Sequence, residues 1–145
     1  MKEINTEIRI LSTPNKIWNI LIDLENWNKW NPIVNNIKGK LNIGEELTIT
    51  MSDSKGNNAK KYNATISELT TNKRFSFIAT MMAKFMFSAE RIIEIKQTEK
   101  ETVFIQREIY TGIMVFLFWK KLSTDAIGML NTMNQALKKE VEKIH

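Results

Sequence analysis

The chain opens on strict alternation, with Ile4, Thr6, Ile8 and Ile10 interleaved among Glu3, Asn5, Glu7 and Arg9. That period of two predicts a strand with one buried face. The period then changes. Ser12 or Thr13 followed by Pro14 is a helix-start signal, and Ile17, Trp18, Leu21 and Ile22 recur at helical spacing, predicting a short amphipathic helix over residues 14–22. Beyond it stand Trp27, Trp30 and Pro32, with no periodicity to bury the indoles. Pro32 biases Asn31 towards an extended conformation that stops further helix. From Ile33 onward the pattern is strands and turns. "LTITM" (47–51) and "YNATI" (62–66) alternate on either side of the turn-rich "DSKGNN" (53–58), and "RFSFIAT", "RIIEI" and "TVFIQREIY" supply three more strand-like runs. From about residue 120 to 143, Ile127, Leu130, Met133, Leu137, Val141 and Ile144 fall three or four apart, which predicts a long helix with one apolar face.

The predicted order is a strand, one or two short helices, about six strands and a long helix. Hairpin-connected strands make an antiparallel sheet, and one long helix covers one face of it, so the fold class is α+β. No repeat, low-complexity tract or linker interrupts the chain, and 145 residues suit a single domain over 1–145.

Composition removes several chemistries. There is no cysteine, and the one histidine is residue 145. Thiolate nucleophiles, Cys-containing metal sites and an interior His base are therefore excluded. Asp23, Asp53 and Asp125 lie far apart and the glycines are scattered, so neither metal-ligand spacing nor a phosphate loop is present, and no metal or cofactor is expected. The net charge of +5 comes from Lys and Arg interleaved with acids rather than gathered in a stripe, which argues against nucleic-acid binding. The longest apolar run, "GIMVFLFW" (112–119), is far below the roughly 20 residues that span a bilayer, and no apolar run follows Met1. A cytoplasmic protein without stable membrane anchoring, monomeric or weakly dimeric, is the expectation.

Pro14, Trp18, Asp23, Trp30, Asn31, Pro32, Gly39 and Gly44, in that order, resemble the N-terminal half of the SRPBCC (START-like) superfamily, in its polyketide cyclase/dehydrase-like branch. Thr102, Glu108, Tyr110 and Gly112, with the closing "MNQALKKEVE", extend the resemblance over essentially the whole chain. It implies a helix-grip fold: a curved antiparallel sheet of about seven strands wrapped around the C-terminal helix, two short helices after the first strand, and a hydrophobic cavity between sheet and helix. It also implies a hydrophobic or lipid-like small-molecule partner, while sharing no single activity. The family often carries histidine where this chain has Arg91 and Gln106, so no acid/base role of those histidines transfers.

Three functional readings follow. The first is a binding protein for a hydrophobic or amphipathic small molecule. The second is a cofactor-free cyclase- or dehydratase-like enzyme using cavity acid/base groups, with Glu108, Arg91 and Tyr110 as candidates. The third is an interaction module whose cavity its own side chains fill. Pairing Gln97 with Thr102 across "QTEKET" sets Ile95 opposite Phe104, Ile93 opposite Gln106, Arg91 opposite Glu108 and Ala89 opposite Tyr110, all on one face. Arg91 and Glu108 then form either a solvent-facing pair or a buried one that orients a polar group of an apolar ligand. With them, Phe77, Ile93, Ile95, Phe104, Gln106, Tyr110, Leu130, Met133 and Asn134 are expected to line the cavity, joined by Tyr62 and Met114. Trp30 is either a plug that closes the end of the sheet with Trp27, or a ligand contact. The Met/Phe patch that includes Met81, Met82, Phe85, Met86 and Phe87 reads equally as core or as an adaptable binding surface. "GIMVFLFW" is expected mainly as packed core between the last strand and the helix, the alternative being a lid or membrane-touching rim.

Overall fold

The computed structural model describes residues 1–53, 57–81 and 85–143, the side chain of Met81 excepted. Met82, the Met81 side chain, Ile144 of the helix stripe, His145 and the centre of "DSKGNN" therefore lie outside the described residues. Ten elements follow one another. They are β1 (Lys2–Ile10), α1 (Pro14–Ile22), a 3-10 turn (Leu24–Lys29), β2 (Val34–Lys38), β3 (Glu46–Met51), β4 (Lys60–Thr70), β5 (Arg74–Met81), β6 (Phe87–Gln97), β7 (Thr102–Thr111) and α2 (Ile113–Glu142).

The strands form one antiparallel sheet in the order β1-β7-β6-β5-β4-β3-β2. β2 to β7 are a meander, and β1 closes it at the β7 edge. α1 and the 3-10 turn must therefore carry the chain from one edge of the sheet to the other. Local chemistry fixes that crossing. Thr13 caps α1 by accepting from the Lys16 amide, with Pro14 in the first turn. Trp18 packs edge-on against Phe75 of β5 at 5.9 Å. Trp27 is buried, donates from Nε1 to the Leu21 carbonyl at 2.8 Å, and lies 5.2 Å from Trp30. Asn31 Oδ1 then accepts from the amides of Ile33 and Val34, a turn that launches β2. The two indoles are the plug of that end.

The β6–β7 register is the one the sequence implies: Gln97 faces Thr102, Arg91 faces Glu108 and Ala89 faces Tyr110. A bulge between Ile66 and Glu68 shifts β4 against β5, so that Ile66 meets Phe77 but Leu69 meets Phe75.

The helix differs from expectation at its start. It begins at Ile113, about seven residues before the apolar periodicity becomes visible, with one non-helical residue at Phe118 marking a kink. Gly112 makes the corner at φ +115°, where a Cβ would run into the Met86 backbone. The amides of Ile113 and Met114 donate to the carbonyls of Phe85 and Met86, so the connection between β5 and β6 caps the helix in place of a side chain. The packed-core expectation for "GIMVFLFW" does not hold. Val115 is buried, but Ile113, Phe116, Leu117 and Phe118 are exposed.

Candidate functional site

Adjacent positions on neighbouring strands form rows across the concave face, and the rows differ in side-chain volume. One row runs Leu47, Ala64, Ala79, Ala89, Tyr110. The next runs Ile66, Phe77, Arg91, Glu108, Ile4. Three alanines side by side on β4, β5 and β6 present only methyl groups to α2. They leave a cavity of about 430 Å³ between the sheet and Leu122, Ala126 and Met129 of the helix. Its inner wall is Ile49, Tyr62, Phe77 and Phe87, and its mouth carries the polar Asp53, Asn58, Lys60 and Asp125.

Arg91 and Tyr110, both in the cavity lining, converge on one carboxylate, that of Glu108. Arg91 and Glu108 are both 7% exposed. Arg91 donates to Glu108 Oε1 from Nε at 3.0 Å and from Nη2 at 2.5 Å, while Nη1 lies 4.0 Å from Met133 Sδ. Tyr110 donates its hydroxyl to Glu108 Oε2 at 2.5 Å. Burial, the Glu108 charge and the hydrogen bond to Glu108 push the Tyr110 phenol far above its ordinary range, with Arg91 opposing in part. Tyr110 is thus held as a neutral donor. Phe77 lies under the guanidinium at 5.9 Å, and Phe87 and Trp119 flank the Tyr110 ring at 6.1 and 5.7 Å. The guanidinium spends Nε–H and one Nη2–H on Glu108. Its remaining N–H groups have no oxygen partner among the described residues.

Of the residues singled out in the sequence, Tyr62, Phe77, Arg91, Glu108 and Tyr110 line this cavity. Ile93, Ile95, Phe104, Leu130 and Met133 do not: they are packed core, and around Ile93, Phe104 and Met133 only about 10 Å³ is left beside Trp30 and Leu137. Gln106 and Asn134 are also away from the cavity. Gln106 Nε2 donates to Asn134 Oδ1 at 2.7 Å, Asn134 Nδ2 to Thr6 Oγ1 at 3.0 Å, and Thr6 Oγ1 to the Gln106 carbonyl at 2.9 Å, which ties α2 to β7 and β1. Trp30 borders that small void, Met114 is half-buried outside the cavity, and Phe85 is exposed. Five of the residues expected at the cavity thus border it, and the other described ones lie elsewhere. Ile49, Met51, Ala64, Ala79, Phe87, Ala89, Leu122, Ala126 and Met129 belong to it instead. Their signal is the coincidence of alanines at one register position on three strands, visible only once the strands are aligned. Among the described residues no three His, Cys, Asp or Glu side chains gather to hold a metal ion.

This architecture is the helix-grip fold. A START superfamily protein from Mycobacterium smegmatis superposes with a TM-score of 0.75 at 14% identity, over 99% of both chains. Norcoclaurine synthase from Thalictrum flavum, solved as a point mutant with a transition-state analogue, gives 0.73 at 15% identity over 98% of this chain and 94% of its own. The di-domain ARO/CYC protein StfQ of the steffimycin biosynthetic pathway gives 0.68 at 10% identity over 97% of this chain, which spans about half, 51%, of StfQ. At these identities the likeness is one of fold. No family model matches the sequence, and no curated protein does.

Proposed function

We propose that the protein binds an apolar or amphipathic small molecule in the cavity between β3–β7 and α2, with the ligand's one polar acceptor at Arg91. The observation that supports this most is the combination of about 430 Å³ of space, walls that are mainly aliphatic and aromatic, and a single convergent polar cluster at the base. Burial of the apolar part supplies affinity. The unspent N–H groups of Arg91 and the neutral Tyr110 fix orientation, because a ligand that cannot accept from Arg91 would bury those donors without compensation.

The enzyme reading is weaker on geometry. Glu108 Oε1 already accepts two N–H groups and Oε2 a short phenolic O–H, so the carboxylate is engaged in holding the site together rather than poised to take a substrate proton. An interaction module with a self-filled cavity is disfavoured by the alanine row.

Native mass spectrometry after mild purification tests the reading, together with displacement of an environment-sensitive apolar dye by fatty acids and by polycyclic aromatics. Expected is a co-purified or titratable one-to-one ligand, lost in Ala89→Phe with the fold retained. A protein that takes up neither dye nor any of these ligands overturns it.

A further inference from the structure

The first turns of α2 leave large apolar side chains in solvent. Phe116 is 79% exposed, Leu117 63%, Ile113 and Phe118 55%, and Phe85 on the adjoining connection 68%. The backbone bond from the Ile113 amide to the Phe85 carbonyl brings the two segments together, so these side chains form one apolar knob. Half of the ten large hydrophobic residues exposed among the described residues lie in it. Between Gly112 and Thr124 there is no acidic residue, while Lys120 and Lys121 follow directly and are exposed. Lys2 Nζ stands 5.7 Å over the ring of Trp119, the residue before Lys120, and that ring also packs 5.7 Å from the cavity residue Tyr110.

We propose that this knob docks reversibly onto an anionic lipid bilayer, with Phe116, Leu117 and Phe118 entering the acyl boundary and Lys2, Lys120 and Lys121 meeting the headgroups. Charge decides among occupants. A two-fold pairing of copies through the same patch would bring together two surfaces that both carry Lys120 and Lys121 and have no acid between Gly112 and Thr124 to pair with them, whereas anionic headgroups complement them. An apolar tip followed by Lys120 and Lys121, with no acid before Asp125, has the composition of an interfacial helix. The kink at Phe118 separates the exposed first turns from the gripped remainder of α2, so insertion of the tip does not require the core to open. Among the described residues no helix is long and apolar enough to cross a membrane, so the contact is with the surface. None of the knob residues lines the cavity, so docking does not depend on whether the cavity holds a ligand.

Flotation with unilamellar vesicles of phosphatidylcholine, with and without phosphatidylglycerol, tests it. The wild type is expected to float with anionic vesicles and less with neutral ones, and added salt should weaken the binding. Phe116→Ser/Leu117→Ser and Lys120→Glu/Lys121→Glu should each bind anionic vesicles on the order of tenfold more weakly or worse, with unchanged circular dichroism. Absence of flotation at high lipid overturns the proposal, as does equal binding by both variants. Concentration-dependent dimers in sedimentation, abolished by Phe116→Ser/Leu117→Ser without any vesicle binding, would assign the knob to a second copy instead.

Discussion

At the scale of single residues, the Arg91–Glu108–Tyr110 cluster buries two opposite charges and a phenol against one another. Both charges are desolvated and each depends on the other, so Glu108→Ala or Arg91→Ala should cost about 3 to 5 kcal/mol in chemical denaturation, and the double variant less than the sum. Losses below about 1 kcal/mol in both would mean that water reaches the pair. Tyr110 adds a pH dependence whose sign follows from its raised pKa. The folded state keeps the phenolic proton that the unfolded chain begins to lose near pH 10. The Tyr110 contribution is thus fully present below that pH and falls as pH rises beyond it. Wild type should lose stability between about pH 10 and 11.5 more steeply than Tyr110→Phe, although the variant starts lower at pH 7 for want of the bond to Glu108. Parallel curves would contradict the buried-donor assignment.

At the scale of elements, α2 does two different jobs along its length. Its C-terminal part is packed: Leu130 and Leu137 are both completely enclosed, so replacing either by Ala should cost about 2 to 5 kcal/mol. Met129 instead borders the cavity, and Met129→Ala enlarges an existing space rather than creating one. A thermal-shift series in which Met129→Ala is clearly the mildest of the three supports this division, and equal losses would not. The helix end is tied down by Glu142, whose carboxylate accepts from the Leu11 amide at 2.8 Å and from Lys138 Nζ at 2.6 Å. These bonds, the Leu11 amide foremost, lower its pKa from 4.5. Its contribution is present above that value and is lost as pH falls through the lowered pKa, so Glu142→Gln should flatten the acid limb of the stability curve.

At the scale of the whole molecule, the sheet and helix diverge from a tight grip at the Trp30–Leu137 end to an open one at the alanine row. Filling that row is the global test. Ala89→Phe should leave thermal stability unchanged or raised, since it adds apolar contact in an existing space, while abolishing ligand binding. In the wild type, a ligand present at one hundred times its Kd should add about 2.7 kcal/mol of stability, and in Ala89→Phe none. A large destabilisation by Ala89→Phe would show that the cavity closes in solution.

The sequence by itself determined the element order, the α+β class and the β6–β7 register. Each of these rests on local signals: alternation in β1 and β7, the Thr13–Pro14 cap, and the short "QTEKET" turn that fixes which residues face one another. β2 was harder to read, because "VNNIK" has two asparagines and draws its place from the Asn31 turn and from β3. The start of α2 was hidden for a related reason: its cap is the Phe85 and Met86 carbonyls, remote in sequence, and its first turns have no polar face to create a period. Pairing Arg91 with Glu108 follows from strand register alone. Their burial, the engagement of Tyr110 and the extent of the cavity do not. They depend on how far α2 stands from the sheet, which is set by side-chain volumes in rows that cross three or more strands, and no single stretch of chain contains a row. The tertiary structure therefore decided which half of the apolar face is core and which is open, and left the apolar start of α2 outside both.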